Sequence, residues 1–150
     1  MKKLLAAALA VASLVSFVSC AKKDAVKAEG KVLNIYVWND EFSDRFNSYF
    51  ASKVPADVTV NFVQTPNADN AYQNKLDEVL LNQESAAADD KVDVFLVEAD
   101  YALKYVDTPY AMAIADLGIT DADLANQYQY TKDIVTDSNG VLKGLSWQGC

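Results

Sequence analysis

Four clusters of residues in this chain carry groups able to hold a ligand, and three of them sit where a run of β-branched and aromatic residues gives way to polar ones. Trp38, Asn39 and Asp40 follow VLNIYV. Thr65, Pro66 and Asn67 follow VTVNFVQ, Glu98, Asp100 and Tyr101 follow VDVFLV, and Trp147 with Gln148 belongs to the closing GLSWQGC. Aromatic faces, amides and carboxylates together suit a sugar, whose C–H faces lie on rings while its hydroxyls exchange hydrogen bonds with the polar groups.

Covalent chemistry finds less support. The chain has no histidine, which removes the commonest general base and the commonest zinc ligand. No serine can therefore be paired with a histidine base, and neither G-x-G-x-x-G nor a P-loop is present. Asp137–Gly140, D-S-N-G, matches a fragment of a calcium loop without its closing glutamate, and a hairpin turn accounts for it better. No catalytic residue, metal or cofactor is expected. Cys150 leaves three readings open: a nucleophile, a disulfide partner, or an ordinary small residue.

Each candidate also has a structural reading. Asn39 or Asp40 can cap the following helix, with or without touching a ligand. Trp38 and Trp147 can be core residues. Glu98 and Asp100 would share one face of a strand, unless Asp100 opens the next helix and the pair only caps it or forms a solvated edge.

The elements that would position these groups follow from hydrophobic periodicity. Val32 to Trp38 reads as a strand covered on both faces. Phe42, Phe46, Tyr49, Phe50 and Val54 recur at helical spacing until Pro55. Val58 to Val63 is a second strand, Tyr72, Leu76, Val79 and Leu80 mark a second helix, Val92 to Val97 is a third strand, and a short helix covers Tyr101 to Val106. Alternation of this kind predicts an α/β domain with a mostly parallel sheet, in which ligands bind beyond the carboxyl ends of the strands. Past Pro109 the rhythm fades. A brief connection is expected at Asp116–Leu117, and Thr120 is expected to cap a helix through Tyr128. Tyr130–Val135 is ambiguous, and Asn139 and Gly140 suit the positive φ of a hairpin leading into a last strand, VLKGLSW.

The N-terminus carries an address. Lys2 and Lys3 precede an uncharged run from Leu4 to Ser19, so residues 1–19 read as a secretory signal. FVSC resembles the lipobox of bacterial lipoproteins, which implies lipidation of Cys20 and a protein anchored by lipid in the cell envelope, facing periplasm or exterior. A retained membrane anchor or ordinary cleavage nearby are the alternatives. Residues 20–31 have charge and little apolar bulk, as a flexible tether would. The whole chain carries −8, and removal of the two signal lysines leaves −10. So acidic a chain argues against a nucleic-acid partner.

The lipobox and tether, VLNIYVWNDEF, AYQNKLDEVL, VDVFLVEADYALKYVD and NGVLKGLSWQGC together resemble the first part of an extracellular solute-binding protein of family 1, the carbohydrate-binding component of ABC importers. The resemblance covers residues 32–150. It implies a periplasmic-binding-protein-like lobe, truncated here and without its second lobe, that captures a sugar or oligosaccharide for the permease membrane subunits. It further implies that Trp38, Asn39, Glu98, Asp100 and Trp147 face the cleft, and Gln148 beside Trp147 is expected to join them. One lobe alone is expected to bind sugar weakly. Two other readings belong to different classes: an enzyme similar to thiamin pyridinylases with Cys150 as nucleophile, and a structural surface lipoprotein.

Overall fold

The computed structural model describes residues 30–148. The signal segment, the lipidation candidate Cys20, the tether up to residue 29 and Cys150 lie outside the described residues.

Three parallel strands form one sheet in the order β2-β1-β3: β1 Val32–Val37, β2 Thr59–Gln64 and β3 Val94–Phe95. β1 lies in the middle, so four of its six residues, Asn34 to Val37, are buried. This burial is why its sequence is apolar almost throughout, as for a strand covered on both faces. Pleating sends Ile35 and Val37 to one face and Tyr36 to the other. Against Ile35 and Val37 pack Phe42 and Phe46 of helix α1 (Glu41–Tyr49), one turn apart, together with Phe62 and Trp147. Against Tyr36 pack Tyr72, Leu76 and Leu80 of α2 (Ala71–Leu81) and Tyr105 of α3 (Ala99–Val106). The result is a small α/β/α arrangement with α1 on one face and α2 and α3 on the other. Opposite faces are what right-handed crossovers give when the chain runs from β1 outward to β2, then back past β1 to β3.

Buried polar groups specify how the strands meet. The Asn34 amide, 4% exposed, donates to the carbonyls of Asp89 and Lys91 at 2.8 and 2.9 Å and accepts from Asn61 at 2.8 Å. Asn34 thus links β1 to both the neighbouring strand and the loop that leads into β3.

The third strand is shorter than the apolar run Val92–Val97 predicts. At its start the backbone N–H of Asn34 is taken by the Asp93 carboxylate at 2.8 Å instead of a β3 carbonyl, and at its end the Tyr72 hydroxyl enters at Leu96. Regular pairing survives only at Ile35 with Val94 and Tyr36 with Phe95. α1 ends at Tyr49, and a 3-10 turn at Ala51–Lys53 carries the chain to Pro55.

Beyond residue 109 the expectations need correction. Residues 121–126 form successive turns, with no helix running from Thr120 to Tyr128. The Thr120 N–H and hydroxyl both donate to the Asp123 carboxylate, at 2.8 and 2.7 Å, and the backbone bonds after it span three residues, so this cap starts turns that never lengthen. The ambiguous segment overlaps a short helix, α4 (Gln129–Asp133). The hairpin is present, but only Gly140 has positive φ, and its arms meet in one antiparallel bridge, Thr136 with Leu142. VLKGLSW joins no sheet.

Candidate functional site

In a doubly wound sheet the crevice opens where neighbouring strands send their chains to opposite faces. Here that point lies between β1, which leads to α1, and β3, which leads to α3. Trp38 and Asn39 leave β1 at this edge; Glu98 and Asp100 leave the β3 segment. Four of the six predicted residues therefore flank one switch point.

Their roles differ. Trp38 is half-buried and touches both core clusters, its ring edge-on to Tyr72 with centroids 5.4 Å apart, so it seals the core while bordering the edge. The Asn39 carboxamide oxygen accepts the Glu41 N–H at 3.0 Å, whereas Asp40, at the N-cap position, contributes its backbone carbonyl and no side-chain cap bond. Its amide N–H groups have no partner among the described residues. Glu98 is not on a strand with Asp100: it is the N-cap of α3 without a side-chain cap bond, and Asp100 lies in the first turn of that helix. Both carboxylates are exposed and have no hydrogen-bond partner among the described residues.

The neighbouring β2–α2 corner is backbone-strained. Asp69 and Asn70 have φ of 51° and 60°, and Asn70 accepts from the Tyr101 hydroxyl at 3.2 Å, tying this corner to α3. Gln73, 6% exposed, donates to Asn67 at 2.9 Å, and its carboxamide oxygen is buried without a partner among the described residues.

Trp147 and Gln148 lie against the first turn of α1, Trp147 on the same core cluster that Trp38 borders. The indole packs edge-on to Phe42 at 5.3 Å with the Arg45 guanidinium 5.8 Å from its ring centre. Gln148 donates to the Glu41 carboxylate at 2.9 Å, and Arg45 donates to the same oxygen at 3.1 Å. The Arg45 and Gln148 hydrogen bonds hold the Glu41 carboxyl below the usual glutamate range. These contacts bind the closing segment along α1. On its other side lies a cavity of about 220 Å³ that Trp147 and Gln148 share with Asn126, Gln127, Tyr128 and Thr131. None of Trp38, Asn39, Glu98 or Asp100 lines it.

Sequence reasoning missed the residues from Asn126 to Thr131. The signal lay in N-Q-Y-Q-Y, two aromatics interleaved with amides, which a helix prediction absorbed. Among the described residues no group of three His, Cys, Asp or Glu is gathered as a metal site would need, and no helix is long and apolar enough to cross a membrane.

The chain matches no protein-family model, and no curated protein matches it.

Proposed function

We propose that this chain captures a sugar or oligosaccharide as the substrate-binding lipoprotein of an ABC importer, its α/β domain forming a periplasmic-binding-protein-like lobe. The observation that carries the reading is the switch-point edge between β1 and β3. An aromatic ring, Trp38, stands there with the N–H groups of Asn39 and the carboxylates of Glu98 and Asp100, which have no hydrogen-bond partner among the described residues. A sugar laid across such an edge finds a surface for its C–H face and acceptors for its hydroxyls. Function of this kind is binding without bond breaking. Contacts from two lobes favour a closed state by their differential affinity, and the closed form is what a permease would receive. Lipid on Cys20 would hold the domain at the membrane.

The chain has two tryptophans, so their indole N–H resonances separate the edge from the rest of the molecule. Titration of the full chain with D-glucose, D-galactose, D-mannose and their oligomers is expected to shift the Trp38 resonance at millimolar sugar, and Glu98→Gln with Asp100→Asn to weaken that response. A Trp38 resonance unmoved by every sugar would overturn the reading.

A further inference from the structure

We propose that Asn139 is a site of self-modification, converted to aspartate and isoaspartate by attack of the Gly140 nitrogen, and that the clasp between the hairpin and α3 sets the rate. No other asparagine of the chain is followed by glycine. The Asn139 side chain is exposed and its carboxamide has no hydrogen-bond partner among the described residues. Glycine has no Cβ to shield its nitrogen, and the space a Cβ would fill at Gly140 is empty to 4 Å. The reaction needs only the chain and water. The Gly140 nitrogen gives up its proton and attacks the Asn139 side-chain carbonyl carbon; the new N–Cγ bond closes a succinimide ring as the Cγ–Nδ2 bond breaks, and ammonia leaves with the proton. Water then opens the ring at either carbonyl. One opening leaves aspartate at position 139, and the other routes the backbone through the side chain as isoaspartate.

The folded turn withholds the nucleophile. Its N–H donates to the Asp137 carbonyl at 3.0 Å, while the N–H groups of Asn139 and Val141 both donate to the Asp137 carboxylate, at 2.9 and 2.8 Å. A nitrogen held in this way keeps its proton and is not free to swing onto the neighbouring carbon, and attack requires the reacting atoms to come within about 3–3.5 Å. The turn is in turn fastened to the helix layer: the Ser138 N–H and hydroxyl donate to the Asp107 carboxylate just past the end of α3, at 2.8 and 2.7 Å. Farther along the same arm the Leu142 carbonyl accepts the Ile114 N–H at 3.0 Å. Conversion therefore waits on local opening, and its rate follows the open population because the chemistry is slower than reclosing. The change runs one way, since the ammonia is lost. Isoaspartate also adds a carbon to the backbone of the turn, so the register that set Gly140 against Asp137 cannot be restored. The hairpin thus carries a permanent record of having opened.

This inference is independent of sugar capture. The full chain is incubated in mildly alkaline buffer, folded or in guanidinium chloride, and its peptides are mapped by mass spectrometry, with isoaspartate told from aspartate by enzymatic methylation. Position 139 is expected to convert first, roughly tenfold faster in the denatured chain than in the folded one. Asp107→Ala, at an exposed position, is expected to raise the folded-state rate severalfold at Asn139 and leave the other asparagines unchanged, and Ser138→Ala to act in the same direction by less. Gly140→Ala is expected to slow the reaction in the denatured chain, where no turn remains to be opened. Another asparagine converting first would overturn the site. Equal rates in folded and denatured chains would overturn the gate, and Asp107→Ala and Ser138→Ala chains in which all asparagines accelerate alike, or none does, would overturn the clasp.

Discussion

The Tyr72 hydroxyl lies 2.7 Å from the Leu96 carbonyl and 3.1 Å from the Leu96 N–H, so one α2 side chain meets both backbone groups of a residue just past the end of β3, whose N–H also reaches the Tyr36 carbonyl at 3.1 Å. The same hydroxyl lies 3.0 Å from the Tyr36 carbonyl. Tyr72 therefore fastens the helix layer to the central and third strands at the edge where Trp38 and Glu98 emerge.

Tyr72→Phe keeps the ring against Leu76 and Trp38 but removes this link. It is expected to destabilise the protein by about 1–3 kcal/mol, because the Leu96 carbonyl loses the hydroxyl that donates to it, while the Leu96 N–H keeps the Tyr36 carbonyl. Urea denaturation with wild-type and variant chains measures this. Burial pushes the Tyr72 phenol well above its ordinary value of 10.0, and burial followed by the Asp77 hydrogen bond and charge does the same for Tyr105. The unfolded chain then releases these protons first. The contribution is complete below pH 10 and declines as pH rises above it. In Tyr72→Phe the alkaline fall in stability should be shallower, and an unchanged slope would remove Tyr72 as its source.

The hairpin depends on one glycine. Gly140 has φ of +80°, and a Cβ placed there would meet nothing within 4 Å, so Gly140→Ala tests backbone strain alone. Its cost should be about 1–2 kcal/mol, the penalty for an L-residue in the left-handed region. Asn139, whose φ is not positive, should tolerate alanine with a much smaller loss. Equal losses at the two positions in thermal unfolding would contradict the assigned turn geometry.

Acid should loosen the closing segment. Glu41 is held below its ordinary value of 4.5 by Arg45 and Gln148, so its contribution is present above that value and is lost as pH falls through the lower, folded-state value. The Trp147 indole resonance should move in that acid range, because Gln148 and Arg45 both lose a charged acceptor. In Glu41→Gln this movement should vanish. A Trp147 transition that persists in the variant would point to another carboxyl group.

Much of the fold was legible because its cause is local. The apolar stretch from Val32 to Val37 and the helical spacing of Phe42 with Phe46 and of Tyr72 with Leu76 each predict an element whose buried face follows from its own period. The third strand was overestimated because its length is decided by side chains distant in sequence, Asp93 meeting Asn34 and Tyr72 meeting Leu96. Thr120 offered a sound cap, and no cap can lengthen a helix that lacks an apolar face to bury. The site divided similarly. Trp38, Asn39, Glu98 and Asp100 could be grouped from strand ends alone, whereas Trp147 and Gln148 could not be separated from them until the closing segment was seen lying along α1.

By itself, the sequence determined an acidic, histidine-free α/β chain with its polar and aromatic residues concentrated at strand ends, because composition and periodicity act within each segment. How the closing segment meets the strand ends came from tertiary contacts alone. A long-range bond such as Gln148 to Glu41 leaves no periodic trace, and it is what lays the closing segment along α1.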